Sequence, residues 1–324
     1  MRWLVTGGSG FIGTNFINLI AKRGGDIINV DAAPPIEQAH RRYWTQMDIT
    51  ERASIIGFIN QERPNVIVHL AAKLDFSEPE GVFQLHNVEG SRNILDAALE
   101  VKKVRLILTS TLFVNGPQKP FDNDVVFNPV NPYGRSKAQM EQLARSAEYQ
   151  RLDWIIVRPT SVWGPFHPYF PRQLWKFIKR GFYMHPGKAP IVRSYGYVEN
   201  VVRQIALIAN APGKLVTHKV FYVGDEPIDS YFVLNAWSHA LNGRPIRRVP
   251  LGFLRLCAFI GNGMARLNLP APINSERLGR MATNYHSRNE TIWPELGYVP
   301  VGLDRAVQET VSWLKQAYPS IYAA

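Results

Sequence analysis

Cysteine is almost absent from this 324-residue sequence: Cys257 stands alone, which excludes an intrachain disulfide and any cysteine-based metal cluster. That usage fits a reducing compartment, and the chain is expected to be cytoplasmic. Nowhere do the ~20 consecutive apolar residues of a spanning helix occur. Residues 1 to 5 run directly into a strand pattern, so no signal peptide is expected. Acidic residues are also scarce, 26 against 37 lysines and arginines, giving a formal charge of +11. Such a surplus attracts anions, but the basic residues are scattered in pairs such as Arg41-Arg42 and Arg247-Arg248. One mixed cluster, Trp175 to Arg180, reads as an amphipathic helix. Without a basic face interleaved with aromatics, no nucleic-acid partner is expected. The histidines have no acid partners at fixed spacing, so no metal site is expected.

What is present is alternation. Trp3 to Thr6, Ile27 to Val30, Val66 to Leu70, Val104 to Thr109 and Trp154 to Val157 are short aliphatic runs with strand character. They are followed by helical spacing at Phe11 to Lys22, Ser54 to Asn60, Val88 to Leu99 and Lys137 to Tyr149. This order implies an α/β fold, a doubly wound parallel sheet covered on both faces, with ligands at the carboxyl ends of its strands. Beyond residue 159 proline and glycine interrupt the pattern, so residues 1–158 are assigned to the sheet domain. Residues 159–324 form a smaller, irregular lobe, with about 195–225 returning to the sheet and a last helix over 303–318.

The first strand runs into Gly7-Gly8-Ser9-Gly10-Phe11-Ile12-Gly13, and a helix begins near Phe11. Glycines at 7, 10 and 13 let the backbone approach a pyrophosphate at the helix N-terminus, the signature of a Rossmann-type dinucleotide site. Asp31 ends the second strand, where a carboxylate accepts the adenosine-ribose hydroxyls and repels a 2′-phosphate; Ala32 and Ala33 follow it, so NAD is expected rather than NADP. Tyr133 and Lys137 lie in Asn-Pro-Tyr-Gly-Arg-Ser-Lys, four residues apart on one helix face. A neighbouring ammonium favours the phenolate, which suits Tyr133 to acid–base work.

With these motifs the chain resembles the extended short-chain dehydrogenase/reductase family, in its NAD-dependent epimerase/dehydratase, nucleotide-sugar-modifying branch. The ordered matches include His69-Leu70-Ala71-Ala72, Asn87-Val88-x-Gly90, Thr109-Ser110-Thr111, Arg158-Pro159, Val162-x-Gly164-Pro165 and Tyr197-Val198-Glu199-Asn200-Val201. The tail Glu295-Leu296-Gly297-Tyr298 is also similar. The resemblance gives Asp48 and Ile49 to the adenine pocket, and Leu70, Ala71 and Ala72 to the pyrophosphate and nicotinamide ribose. Asn87, Thr109 and Pro159 complete the implied cofactor site. It makes Thr111 the residue that hydrogen-bonds the reacting oxygen, Tyr133 its proton partner, and Lys137 the ribose ligand that lowers the Tyr133 pKa. A homodimer is usual in the family.

Several readings of the chemistry stay open. Family 4,6-dehydratases carry Asp-Glu directly after the catalytic Thr; Leu112-Phe113 stand here and cannot move a proton, which argues against that reaction. Reversible oxidation of a secondary alcohol remains, as a nucleotide-sugar epimerase first, then a ketone dehydrogenase/reductase or a 3β-hydroxysteroid-dehydrogenase-like enzyme. An NAD-binding regulator without activity is the rival from another class. Arg193, before Tyr195-Gly196-Tyr197, resembles the family's diphosphate-holding arginine, although Ser161 and Asn115 replace an Asn and a Tyr common in those enzymes. Leu251 to Leu269, apolar with Arg255 and Arg266 near its ends, is read first as a helix covering the substrate pocket, because Gly261 and Gly263 interrupt it. Membrane contact, as in the family's 3β-hydroxysteroid dehydrogenases, is the less favoured reading.

Overall fold

The computed structural model describes residues 1–101, 103–117, 123–267, 269, 271 and 273–322. Its strands are β1 (Arg2–Thr6), β2 (Asp26–Asp31), β3 (Trp44–Gln46), β4 (Val66–His69), β5 (Arg105–Thr109), β6 (Asp153–Pro159) and β7 (Ser161–Trp163). They continue with β8 (Met184–Pro186), β9 (Val192–Arg193), β10 (Tyr195–Tyr197), β11 (Val220–Val223), β12 (Ile228–Asp229) and β13 (Arg247–Val249). The helices are α1 (Phe11–Lys22), α2 (Arg52–Glu62), α3 (Glu80–Phe83), α4 (Gly90–Val101), α5 (Pro132–Ala144), α6 (Leu174–Lys179) and α7 (Val198–Asn210). After them come α8 (Gly213–Val216), α9 (Ser230–Asn242), α10 (Leu251–Arg266), α11 (Ser275–Ala282), α12 (Leu303–Ala317) and α13 (Pro319–Tyr322).

Among the described residues the main sheet has seven strands in the order β11-β6-β5-β4-β1-β2-β3, all parallel. The order reverses at β1, whose neighbours are β2 and β4, so the crevice for a ligand opens beyond Thr6 and His69, which are paired in register. Successive residues of a strand point to opposite faces. Leu4 joins Ile67, Leu106 and Ile156 under α2 and α4, while Val5 joins Val68, Ile107 and Val157 under α1 and α7. Burial on both faces explains why these strands read as unbroken aliphatic runs.

Some boundaries differ from the sequence reading. The edge strand β3 has only three residues, too few for a periodic signal. The helix expected to start at Val88 is entered through a π-helical turn, Gln84–Glu89. The helix expected from Lys137 starts earlier, at Pro132, because the Asn131 side chain accepts the Gly134 N–H at 2.7 Å and proline occupies the first turn. It ends at Ala144, with a separate 3₁₀ turn over Ala147–Tyr149. In the segment expected to rejoin the sheet, β10 pairs with β7 in a small sheet of its own. The return is made by α7, whose Val201 and Ile205 join the core cluster of α1, and by β11.

One polar network crosses this frame. Glu141, fully buried on α5, takes Arg158 Nε at 2.9 Å and Nη2 at 2.8 Å, and the Ser110 hydroxyl at 2.5 Å. Arg158 Nη1 also donates to Tyr222 Oη at 3.0 Å, and Asn115 Nδ2 donates to the same oxygen at 2.7 Å. On the outer side of β11, Arg288 donates to the Val220 carbonyl at 3.3 Å and Glu290 accepts the Tyr222 N–H at 3.0 Å.

Removing one partner of a buried ion pair strands the other charge away from water. Glu141→Ala is therefore expected to lower the free energy of unfolding by ~3–5 kcal/mol. Urea denaturation would read this, and a loss below 1 kcal/mol would show that water or another group replaces the carboxylate.

Candidate active site

Each glycine of the loop between β1 and α1 answers a different demand. Gly7 has φ +72°, and a Cβ there would lie 2.5 Å from the Ala71 nitrogen, so the loop touches the segment after β4 backbone to backbone. A Cβ on Gly13 would lie 2.3 Å from the Gly7 carbonyl oxygen. Gly8, which the spacing did not single out, abuts the Asn29 side chain at 2.3 Å from such a Cβ. Gly10 differs: it is exposed, and its Cβ would meet only the Gly7 carbonyl, at 3.3 Å. No protein group needs the missing methyl there, so the space before Phe11, Ile12 and the uncapped start of α1 suits the close approach of an anion.

Asp31 lies beside this loop at the end of β2, accepting Ser9 N–H at 3.0 Å and Ala33 N–H at 2.9 Å. Burial raises its pKa, the two N–H bonds oppose the rise, and nearby Asp48 adds to it. Asp48 itself caps the Thr50 turn at 2.9 Å. Ile49 is buried against Gly90, and the Asn93 side chain donates to its carbonyl at 2.9 Å. The implied adenine residues thus brace the crevice wall, with the Ile49 side chain in the core.

After β4, Leu70 N–H donates to the Thr6 carbonyl at 2.9 Å, and Ala71 and Ala72 are half-buried. Asn87 holds this segment in place. Its Oδ1 accepts Lys73 N–H at 2.8 Å, and its Nδ2 donates to the Lys73 carbonyl at 3.2 Å and to Ser136 Oγ on α5 at 3.0 Å. Beneath it, His69 is buried between Thr6 Oγ1 at 2.7 Å and Ser91 Oγ at 2.9 Å. Burial, with Lys137 adding to it, pushes its pKa down to about 3.

Tyr133 and Lys137 occupy the first turns of α5 and are both buried. The Thr111 side chain lies near enough to the Tyr133 hydroxyl to favour its phenolate, but burial outweighs that influence and pushes the phenol above its ordinary pKa. The sequence suggested a phenol lowered by Lys137; here Lys137 Nζ instead donates to the Thr109 carbonyl at 2.8 Å. Burial depresses the Lys137 ammonium to about 8, with Glu141 opposing. Thr109 Oγ1 is buried beside it without a hydrogen-bond partner among the described residues. Pro159, at the end of β6, pairs in register with Val223.

Around Tyr133 the walls are aromatic. Ring centroids of Phe76, Phe83 and Phe113 lie 5.9, 6.3 and 6.3 Å from its ring, and Tyr285 lies 5.7 Å beyond Phe113. Tyr285 is fixed by donating to the carbonyls of Leu112 at 3.1 Å and Asn115 at 2.9 Å. Arg193, on β9, hydrogen-bonds Tyr195 and lies close enough to Tyr183 and Tyr285 to favour their phenolates. No carboxylate among the described residues is paired with it. Tyr285, Phe76 and Phe83 carried no local motif; only the three-dimensional fold brings them to the site. A cavity of about 610 Å³ lined by Thr160, Trp163, Asp225 and Trp293 lies elsewhere and holds none of the catalytic candidates.

Two expectations follow. Gly10→Ala should fold within ~0.5 kcal/mol of the parent yet bind dinucleotide more weakly. Gly13→Ala should lose stability itself; thermal unfolding beside a cofactor titration separates the two, and equal behaviour would remove the distinction. His69 is neutral in the fold but ordinarily titrates near ~6.5 in an unfolded chain. Its stabilisation is complete above that value and is lost as pH falls towards about 3. His69→Asn should flatten the acid limb of the stability–pH curve, and an unchanged slope would assign that limb to other groups.

Comparison with known proteins agrees with this fold. Residues 3–224 match the model of the NAD dependent epimerase/dehydratase family. A 3-beta-hydroxysteroid dehydrogenase of Mycolicibacterium neoaurum is 25% identical over 99% of this chain and 93% of its own length. A UDP-glucuronate 4-epimerase of Thermodesulfobacterium geofontis is 27% identical over 62% of this chain and 69% of its own. Among solved structures, dTDP-glucose 4,6-dehydratase from Bacillus anthracis, in complex with NAD, superposes with TM-score 0.73 at 21% identity, covering 100% of this chain and 99% of that one. The chain belongs to the NAD dependent epimerase/dehydratase family and is an NAD-dependent enzyme of the extended short-chain dehydrogenase/reductase type.

Proposed function

We propose that this enzyme is a nucleotide-sugar epimerase that oxidises and re-reduces a secondary alcohol through Tyr133, Thr111 and Lys137. The observation that carries the reading is the buried Tyr133 phenol beside Thr111, one helical turn from the buried Lys137. Gly7, Gly10, Phe11, Ile12, Gly13 and Asp31 would hold the pyrophosphate and adenosine ribose of NAD, and the unpartnered Thr109 Oγ1 offers a polar contact near Lys137. NAD, when bound, takes and returns the hydride.

Everything else falls to the side chains. Thr111 orients the reacting oxygen, and Tyr133 exchanges its proton. Burial keeps the phenol protonated, the form that donates to a ketone oxygen during reduction. In the oxidative direction the phenol first passes that proton to water, and the phenolate so formed takes the proton of the substrate hydroxyl. Arg193, unpaired with any acid among the described residues, supplies a fork of donors suited to phosphate oxygens. Its contacts with Tyr285, which in turn packs on Phe113 beside Tyr133, set an anion site two ring contacts from the chemistry.

A second reading, an alcohol on an apolar ring as in hydroxysteroids, draws on the phenyl rings of Phe76 and Phe113 beside Tyr133, which offer a sugar hydroxyl no partner. The two part experimentally. Incubation with UDP-sugars should interconvert a pair of epimers without accumulating NADH, and Arg193→Ala should raise KM roughly tenfold with little change in kcat. Turnover of a sterol-like alcohol with net NADH release, indifferent to Arg193, would decide for the second reading. Under either, Tyr133→Phe should lower kcat by roughly 10²–10⁴ while NAD binding persists. Activity near that of the parent would remove Tyr133 from its role.

A further inference from the structure

Large apolar side chains are exposed singly over most of the surface, but six of them fall between residues 253 and 269: Phe253, Leu256, Phe259, Ile260, Leu267 and Leu269. Most lie on α10, which runs without a break through Gly261 and Gly263. The sequence reading that these glycines interrupt the helix does not match this geometry. Gly261 is instead a packing device: a Cβ there would lie 1.8 Å from the Ile273 carbonyl oxygen, so its absence lets the helix seat closely. Leu254 and Ala258 share that packed face with Leu278 of α11, Met184 and Val249.

The opposite face is where the apolar residues gather. At about 100° per residue, Phe259, Leu256, Ile260 and Phe253 fan across about 120° of the helix surface. Arg255 and Arg266 fall together along the Phe259 edge of that fan, both exposed, and α10 contains no acidic residue. From residue 244 to 283 the sequence holds seven arginines and one acid, Glu276. An apolar arc edged by arginines and lacking acids matches a helix lying in the headgroup region of an anionic bilayer. Among the described residues no helix is long and apolar enough to cross a membrane, so the contact is one of lying on the surface.

We propose that α10 docks this protein onto an anionic lipid bilayer through Phe253, Leu256, Phe259 and Ile260, with Arg255 and Arg266 against the headgroup charge. The docking does not rest on the catalytic reading: α10 packs against α11, Met184 and Val249 and carries none of the residues assigned to the chemistry.

Co-sedimentation of the full-length protein with phosphatidylglycerol-containing vesicles tests it, with pure phosphatidylcholine vesicles as reference. Binding should favour the anionic vesicles by roughly tenfold and weaken as salt is added. Leu256→Ser combined with Phe259→Ser should weaken binding by roughly tenfold or more, with thermal unfolding and NAD binding unchanged. Arg255→Glu with Arg266→Glu should erase the preference for anionic vesicles. Equal binding by parent and Ser variant, or no binding by the parent, would overturn the proposal. So would sedimentation velocity showing a parent oligomer that the Ser variant dissociates without any vesicle binding, since the face would then meet a second copy of the chain.

Discussion

The buried pair of Glu141 and Arg158 is the constraint on which the catalytic end of the molecule depends. It joins α5 to β6, and through the Ser110 hydroxyl it reaches the residue before Thr111. Glu141 stands one turn beyond Lys137 on the same helix, so the ion pair fixes the azimuth at which Tyr133 and Lys137 face the strand ends. Arg158 then passes the constraint to Tyr222 on β11 and, by Asn115, to the turn that follows Thr111. Two charges held this far from water are stable only with their geometry complete. The arrangement therefore admits little play between the helix that carries Tyr133 and the strand end that leads to Thr111.

A second constraint sits at the other half of the crevice, where backbone meets backbone. Gly7 and Ala71 touch because neither loop offers a side chain between them, and Asn87 pins the continuation of the second loop to Ser136. The glycine loop and α5 are thus connected through one backbone contact and a short series of hydrogen bonds that bypasses the sheet. Phe76 hangs from the pinned loop over Tyr133, half out in solvent, so the roof of the site moves with that loop.

Much of this was legible in the residues. Strands buried on both faces declare themselves as aliphatic runs, and the glycine spacing, Asp31 and the Tyr133–Lys137 pair are local patterns fixed by local geometry. The parts that escaped are those where partners meet across the chain. Nothing in the sequence singled out Glu141, because its partner Arg158, 17 residues on, meets it only in the fold. Asn87, which the resemblance sets beside the cofactor, also spends its amide on Lys73 and Ser136, partners that no local pattern announces. The phenol of Tyr133 was expected to be lowered by its lysine, because proximity in sequence says nothing of the desolvation that dominates in the fold. The strand β3 was too short to show a period.

The segment that crosses the outer side of β11 has a consequence for the life of the molecule in a crowded solution. A parallel sheet ending on a four-residue strand leaves alternate N–H and C=O groups open to any passing chain. Here the guanidinium of Arg288 and the carboxylate of Glu290 occupy the Val220 carbonyl and the Tyr222 N–H, standing in for an eighth strand without being one. Charged side chains can close such an edge without offering a further edge of their own. Without those two side chains the Val220 carbonyl and the Tyr222 N–H would become a template for strand addition, and the failure would take the form of aggregation.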